Sequence, residues 1–354
     1  MNRPSFPSFR PCSRPGISRR AFLPVAALGL AALATITGPN LPSVRAAEES
    51  GGKKLRVGLT VPTLVNPFFV GMAHGVQDRC TALGYELIAP NANNDMSTQI
   101  NQMEDLITKR VDVIIICPIN AKAVVPSVKK ANAAKIPVIA LDRGSDGGEL
   151  ASFIETNNVE MGQKGADWIA EKLKARYGSA KGNVVNLQGL RGTTAAESRE
   201  KGFMDGLKQY PEIKLVASQA ANFDQERALN LMTDILQANA KVDAVFCAND
   251  DNAVGALRAI DAAHRFKPVG DNGRILVLGI DGTGQALQAI RDGKLDATIS
   301  QNPVKMAATA VDFARDLSAG KSIEKRVYYP NLLLTRENLD SAEAKAYGLW
   351  GEAK

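Results

Sequence analysis

Leu55-Arg56-Val57-Gly58-Leu59-Thr60-Val61 is an apolar, strand-like run, and five residues later comes Asn66-Pro67-Phe68-Phe69, a polar cap followed by proline and two aromatic rings. Proline costs nothing at the opening of a helix, where its missing N–H has no intrahelical partner, so the stretch predicts a strand over 55–61 and a helix over 68–83 that stops at Gly84. The same order recurs along the chain. Val138-Ile139-Ala140-Leu141 ends on Asp142-Arg143, and Val184-Val185-Asn186-Leu187 ends near Arg199. Ala244-Val245-Phe246-Cys247-Ala248 ends on Asn249, Ile275-Leu276-Val277-Leu278-Gly279-Ile280 on Asp281, and Ala297-Thr298-Ile299-Ser300 on Gln301. In open α/β sheets ligands bind beyond the carboxyl ends of the strands, so polar groups repeated there predict one convergent site. Their chemistry suits a neutral polyol.

Between these strands lie amphipathic helical segments, predicted over 97–109, 121–134, 159–176, 195–209, 224–239, 251–264, 283–291 and 303–319, with further strands over 85–89, 112–116, 151–154 and 213–218. Strict alternation of this kind predicts an α/β fold of parallel strands joined by helical crossovers. A length of 354 residues exceeds one ordinary domain of ~100 to 150 residues, so two domains are expected. The segment from His264 to Arg274, with Pro268, Gly270 and Gly273, reads as an exposed loop. The last apolar run, Tyr328 to Leu334, precedes a polar tail that ends in Trp350.

The formal charge of +6 is concentrated at the start of the chain. Residues 1–46 hold Arg3, Arg10, Arg14, Arg19, Arg20 and Arg45 and no acid, and without those six bases 37 bases face 37 acids. The body therefore offers no net field for nucleic acid or an anionic membrane. Ser18-Arg19-Arg20-Ala21-Phe22-Leu23, the apolar run Pro24 to Ile36, and Val44-Arg45-Ala46 resemble a twin-arginine export signal cleaved near Ala46/Ala47. The run is shorter than the ~20 residues a membrane span needs, so a removed leader is expected rather than an anchor. Cys80, Cys117 and Cys247 then remain, an odd number with no Cys-x-x-Cys spacing, and are expected to be buried free thiols.

Aromatic residues make up only 5% of the chain, so the adjacent Phe68 and Phe69, with Phe223, stand out. An aromatic face packs on the C–H face of a sugar ring while the hydroxyls stay free for hydrogen bonds; the plainer role for any one of them is core packing. Asp142-Arg143 sets carboxylate acceptors beside a guanidinium donor fork, and the two charges largely cancel, although the same pair on a surface would be an ordinary ion pair. Asn249 and Asp281 are also residues that turns favour. Two histidines, His74 and His264, are too few for a zinc site or a His-based triad. Asn249-Asp250-Asp251 and Asp281-Gly282-Thr283-Gly284 lack the ligand spacing of a calcium loop. No Gly-x-Gly-x-x-Gly follows the first strand and no Walker sequence occurs, so neither a metal nor a nucleotide cofactor is expected.

Taken together, Pro62 to Phe69, Ile136 to Arg143, Leu187-Gln188-Gly189 with Gly192 to Arg199, Asn222-Phe223-Asp224, Asn249-Asp250, Gly279 to Thr283 and Ala297 to Gln301 resemble the periplasmic ribose-binding protein family, in order, from about Leu55 to Leu334. The resemblance implies a pocket formed by Asn66, Phe68, Phe69, Asp142, Arg143, Arg199, Phe223, Asn249, Asp281 and Gln301, and an aldopentose such as ribose as ligand. Val65 and Cys117 replace polar residues of the family and are expected near the mouth, and the loop Phe266 to Arg274 is longer. The implied fold is two similar doubly wound parallel-sheet lobes joined by a three-crossing hinge near Thr156-Asn157, Gln301-Asn302 and Asn331-Leu332. The lobes would be 55–156 plus 302–331 and 157–301 plus 332–347, behind the leader 1–46.

The implied partners are a monosaccharide and the membrane permease of an ATP-driven importer, with a chemoreceptor left open. The protein would be a periplasmic monomer that binds no nucleic acid. Two alternatives remain: the same receptor for another polyol, or a sugar-responsive transcription regulator, which would need an N-terminal helix-turn-helix where the leader stands. A glycoside-cleaving enzyme would need a general acid, and Asp142 and Asp281 have polar and arginine neighbours expected to hold them ionised.

Overall fold

The structure, a computed structural model, describes residues 54–352; the leader expected over 1–46 lies outside the described residues. Strand β1 (Arg56–Thr60), helix α1 (Pro67–Ala82), β2 (Glu86–Ile88), α2 (Met96–Thr108), β3 (Val113–Ile116), α3 (Val125–Ala133), β4 (Val138–Leu141) and β5 (Ser152–Thr156) follow the predicted alternation. Then come α4 (Asn158–Tyr177), β6 (Gly182–Gln188), α5 (Thr194–Leu207), β7 (Ile213–Ala220), α6 (Gln225–Ala238), β8 (Ala244–Cys247), α7 (Asp250–Ala262), β9 (Leu276–Asp281), α8 (Gly284–Arg291), β10 (Ala297–Ser300) and α9 (Pro303–Ser318). The chain finishes with β11 (Arg326–Tyr329), β12 (Leu332–Thr335), α10 (Ala342–Tyr347) and a short 3-10 turn, Trp350–Glu352.

The strands form two six-stranded sheets, in the orders β11-β5-β4-β3-β1-β2 and β12-β10-β9-β8-β6-β7. Every pairing is parallel except β10 with β12. A parallel sheet is covered on both faces, so its strands are apolar throughout and period-two alternation sends neighbouring side chains to opposite cores. In β3, Val113 and Ile115 join Phe68, Phe69, Met72 and Met306 of α1 and α9, whereas Ile114 and Ile116 join Met103, Leu106 and Val128 of α2 and α3. In β8, Val245 and Cys247 meet α6, α7 and α8, while Ala244 and Phe246 meet α4 and α5, where Phe246 stacks on Phe203 at 4.1 Å. Each such fully buried side chain contributes about 1.5–3 kcal/mol.

Two glycines set the spacing of α4 against α5. A Cβ on Gly162 would lie 2.1 Å from the Arg199 carbonyl oxygen, and one on Gly202 would lie 2.0 Å from that of Val159, so only glycine permits this backbone-to-backbone contact. It places Arg199 against the hinge.

The chain passes between sheets three times: from β5 into α4, from β10 into α9, and from β11 to β12. The apolar run Tyr328 to Leu334 is therefore not one strand. Pro330, which has no N–H to give a ladder, breaks it into β11 on one sheet and β12 on the other. The predicted helix 121–134 is also shorter, beginning at Val125, because Asn120 Oδ1 accepts from Lys122 N at 3.0 Å and Ala123 N at 2.9 Å and holds a turn there. Loop 264–274 is largely exposed as expected, but Arg274 folds inward to pair with Asp296 at 2.7 Å.

Candidate functional site

Nearly all of the predicted site residues sit at the carboxyl edge of a strand or in the helix turn that follows it. Asn66 caps α1, its Oδ1 accepting from Phe68 N at 2.8 Å, and this fixes the first turn that carries Phe68 and Phe69. Asp142 and Arg143 follow β4, Asp281 closes β9, and Gln301 follows β10. Asn249 caps α7, Phe223 lies between β7 and α6, and Arg199 projects from α5. Together with Ala195, these ten residues line one small space between the lobes.

Three of the ten hold left-handed backbone: Asp142 at φ 65°, Phe223 at φ 60° and Asp281 at φ 130°. Such residues without glycine's freedom cost about 1–3 kcal/mol each and persist only where the surroundings over-determine them. Here the surroundings are visible. Gln301 Nε2 donates to Asp281 Oδ1 at 2.7 Å, and Asp142 N donates to Ile154 O at 2.8 Å.

The walls combine rings and balanced charge. Phe68 and Phe69 meet edge to face at 5.6 Å; the Arg143 guanidinium lies 5.0 Å over the Phe69 ring and 5.3 Å over Phe223. Arg143 is 3.7 Å from Asp142 Oδ2, and Arg199 is 3.9 Å from Asp281 Oδ1, so each cation faces an acid. Arg199 is further fixed by donating to Asn158 Oδ1 at 2.8 Å and to Ala248 O at 2.7 Å.

Burial pushes the Asp142 carboxyl up, against Arg143 and Arg199, and pushes Asp281 well up, against Arg199 and the Gln301 hydrogen bond. The expectation that the arginines hold both carboxyls ionised has their direction right, but loss of water outweighs them. A ligand hydroxyl donating to either oxygen would shift the balance back toward the carboxylate.

Polar atoms here remain without a hydrogen-bond partner in the protein. Asp142 Oδ1, Arg143 Nε and Gln301 Oε1 are buried and make no hydrogen bond. An unmatched buried polar atom costs about 1–3 kcal/mol, so three of them on residues that line one small space mark it as suited to a polar ligand. They offer two acceptors and one donor. Among the described residues no group of His, Cys, Asp or Glu is arranged to hold a metal ion.

The lobes touch directly across the cleft. Asn66 Nδ2 donates to Asp251 Oδ2 at 2.7 Å, Gly144 N to Thr194 Oγ1 at 3.0 Å and Ala121 N to Gly192 O at 3.0 Å. Asn66 thus divides its amide between a helix cap and the opposite lobe.

Two residues expected at the mouth part company. Val65 is 87% exposed on the rim, while Cys117 is fully buried beneath Asp142, its thiol donating to Oδ2 at 3.7 Å. Its place at the end of β3 is what draws it inward. All three body cysteines are free and buried. Sequence reasoning missed Ala195, Asn158, Asp251 and Trp350, which line the space or hold residues that do. None belongs to a spacing pattern, because each acts through a contact made only by folding.

Comparison with known proteins gives concordant matches. The sequence profile of the periplasmic binding protein domain fits residues 57–322. The chain is 36% identical over 290 residues to the ribose import binding protein RbsB of Bacillus subtilis, covering 81% of this chain and 90% of that protein. It is 34% identical over 275 residues to the D-allose-binding periplasmic protein of Escherichia coli, covering 75% and 85%. Among solved structures, a periplasmic solute binding protein of an ABC transporter from Actinobacillus succinogenes with bound D-allose superposes with a TM-score of 0.73 at 32% identity, covering 80% of this chain and 98% of that one.

Proposed function

The chain belongs to the periplasmic binding protein family, and on that premise we propose that it is an extracytoplasmic receptor that closes around a monosaccharide, ribose or a similar aldopentose, and delivers it to an ATP-driven importer. The observation that carries this reading is the set of unpartnered atoms, Asp142 Oδ1, Arg143 Nε and Gln301 Oε1, in a small space walled by Phe68, Phe69 and Phe223. Two acceptors and a donor meet ring hydroxyls, and the balanced charges disfavour an ionic ligand. The phenylalanines suit the C–H faces of the ring. Relatives named for ribose and for D-allose support a monosaccharide, and the relative named for ribose supports the pentose.

In this reading the lobes are 55–156 with 302–331 and 157–301 with 332–347. Sugar contacts both and so favours the closed arrangement, a hinge closure of the kind for which periplasmic binding proteins are known. Closure brings the two rims to a fixed spacing that a membrane permease reads. The arginine-rich segment 1–46 is an export leader, and the mature chain begins near Ala47. Calorimetry with ribose, allose, galactose, xylose and myo-inositol tests the assignment. Ribose is expected to bind most tightly; a silent ribose titration beside a clear response to another sugar refutes it. Amino-terminal sequencing of the exported protein tests the leader.

A further inference from the structure

The C-terminal segment is anchored on the second lobe. Leu349 packs into the core of the second sheet, and Glu352 pairs with Arg291 of α8. Gly351 presses on the turn that follows β9: a Cβ there would lie 2.5 Å from the Gly282 carbonyl oxygen and 2.7 Å from the Thr283 carbonyl carbon. From that fixed backbone the Trp350 side chain crosses to the first lobe. Its ring meets Phe68 edge to face at 6.0 Å and is packed against the core of the first sheet. The landing site is cut to size, since a Cβ on Gly71 of α1 would come within 3.1 Å of Trp350 Cε3. The polar edge of the same ring turns the other way: Trp350 Nε1 donates to the Asp281 carbonyl oxygen at 3.0 Å.

One indole therefore touches the back of two pocket residues on opposite lobes. Phe68 gives the pocket a ring, and Asp281 gives it a carboxyl on strained backbone. Tryptophan suits the place because it joins a large apolar body to a single N–H donor. Around it, Tyr347 donates to Ser300 O at 2.9 Å and Asn302 Nδ2 to Gly348 O at 2.9 Å, so the tail also grips the crossing from β10 into α9.

We propose that Trp350 is a positioning residue for ligand binding, a clasp borne by the second lobe that seats behind Phe68 of the first and steadies Asp281 when the lobes are shut. This rests on the receptor reading above. The contact on Phe68 belongs to the closed arrangement, so its loss acts on how long sugar stays bound.

The test compares Trp350→Ala and Trp350→Phe with the unaltered protein, measuring ribose affinity, dissociation rate and the melting temperature without sugar. Losing an aromatic contact and a hydrogen bond is expected to weaken binding at least about tenfold in Trp350→Ala, chiefly through faster dissociation. Trp350→Phe keeps the ring and loses only the N–H, so it recovers part of that loss. The unliganded melting temperature is expected to move by no more than about 2 °C, because the residue is half-buried in the last turn. The chain has two tryptophans, so Trp168→Phe leaves Trp350 as the sole indole, and ribose should shift its emission to the blue. Wild-type affinity and dissociation in both variants, a loss of binding that follows a fall in unliganded melting temperature, or an emission indifferent to sugar overturns the clasp. Failure of the unaltered protein to bind any sugar in the panel removes the receptor reading, and the clasp with it.

Discussion

Asn66 of the first lobe and Asp251 of the second are joined by a 2.7 Å hydrogen bond across the cleft, from Nδ2 to Oδ2. The contact pulls Asp251 out of water. Burial raises its carboxyl to about 6, against the hydrogen bond from Asn249 and with help from the neighbouring Asp224 charge. In the proposed opening the carboxyl regains water, and the burial that raises it is removed. The closed form then holds the proton more tightly, so the contribution of Asp251 to closure is full below the open-form value and is lost as pH rises through about 6.

The first prediction follows. Relative to Asp251→Asn, which keeps the shape and cannot titrate, the unaltered protein should lose sugar affinity by up to about tenfold between pH 5 and pH 7.5. Titration calorimetry of both proteins across that range checks it; a constant ratio would show that Asp251 keeps its charge state on closure.

Arg143 lies over two rings, and its Nε, 3.7 Å from Asp142 Oδ2, is buried without a hydrogen bond. Arg143→Ala is expected to weaken sugar binding by about a hundredfold or more, since hydrogen bonds to charged groups are worth about 1.5–3 kcal/mol each. Arg143→Lys should rescue little, because a lysine ammonium has neither the planar fork nor the stacking face. Circular dichroism and the unliganded melt should remain close to the original. Normal binding by Arg143→Ala would contradict the proposed ligand geometry.

Asp250 is buried behind Asp281 and accepts from Thr283 N at 2.8 Å, Thr283 Oγ1 at 3.0 Å and Thr298 Oγ1 at 2.7 Å. Burial lifts its carboxyl to about 7 despite those donors, so its favourable contribution to folding is present below the ordinary value of 3.8 and is lost as pH rises through about 7. Asp250→Asn should flatten the fall in melting temperature between pH 5 and pH 8. Asp250→Ala, which strands three donors, should cost about 2–4 kcal/mol at pH 5 and less at pH 8. Melts at the two pH values decide it: equal slopes for Asp250→Asn and the unaltered protein would count against the buried titration.

The thiols of Cys80, Cys117 and Cys247 are pushed up by burial, to about 11 for Cys80 and well above the ordinary value for the other two. Reaction with an aromatic disulfide reagent at pH 8 should therefore label none of these three in the sugar-bound protein and all three after denaturation. Rapid labelling of Cys117 in the bound state would show that the floor beneath Asp142 is open.

Much of this molecule is written in local pattern. The strand-helix alternation was legible because a parallel sheet covered on both faces needs short apolar strands, and its crossovers need amphipathic helices. Caps such as Asn66-Pro67 and Thr283 mark helix starts by their own chemistry. The ten residues that line the space between the lobes with Ala195 were named from strand ends, aromatic residues and the family resemblance. The features that escaped are non-local. The crossing near Asn331-Leu332 was expected and does carry the run Tyr328 to Leu334 from one sheet to the other, but the tail after Leu334 also makes a helix and a turn that stand on both lobes. Cys117 lies beneath the pocket because of where β3 ends, which no composition rule states.

The sequence by itself determined the fold class and the residue types that could grip a neutral ring, because periodicity and capping act over a few residues. Tertiary structure alone decided that Asn66 reaches Asp251, that Trp350 backs Phe68 and Asp281, and that burial outweighs two arginines at Asp142 and Asp281. Those outcomes depend on distances between segments remote in the chain and on the exclusion of water between them, quantities that exist only once the lobes are packed.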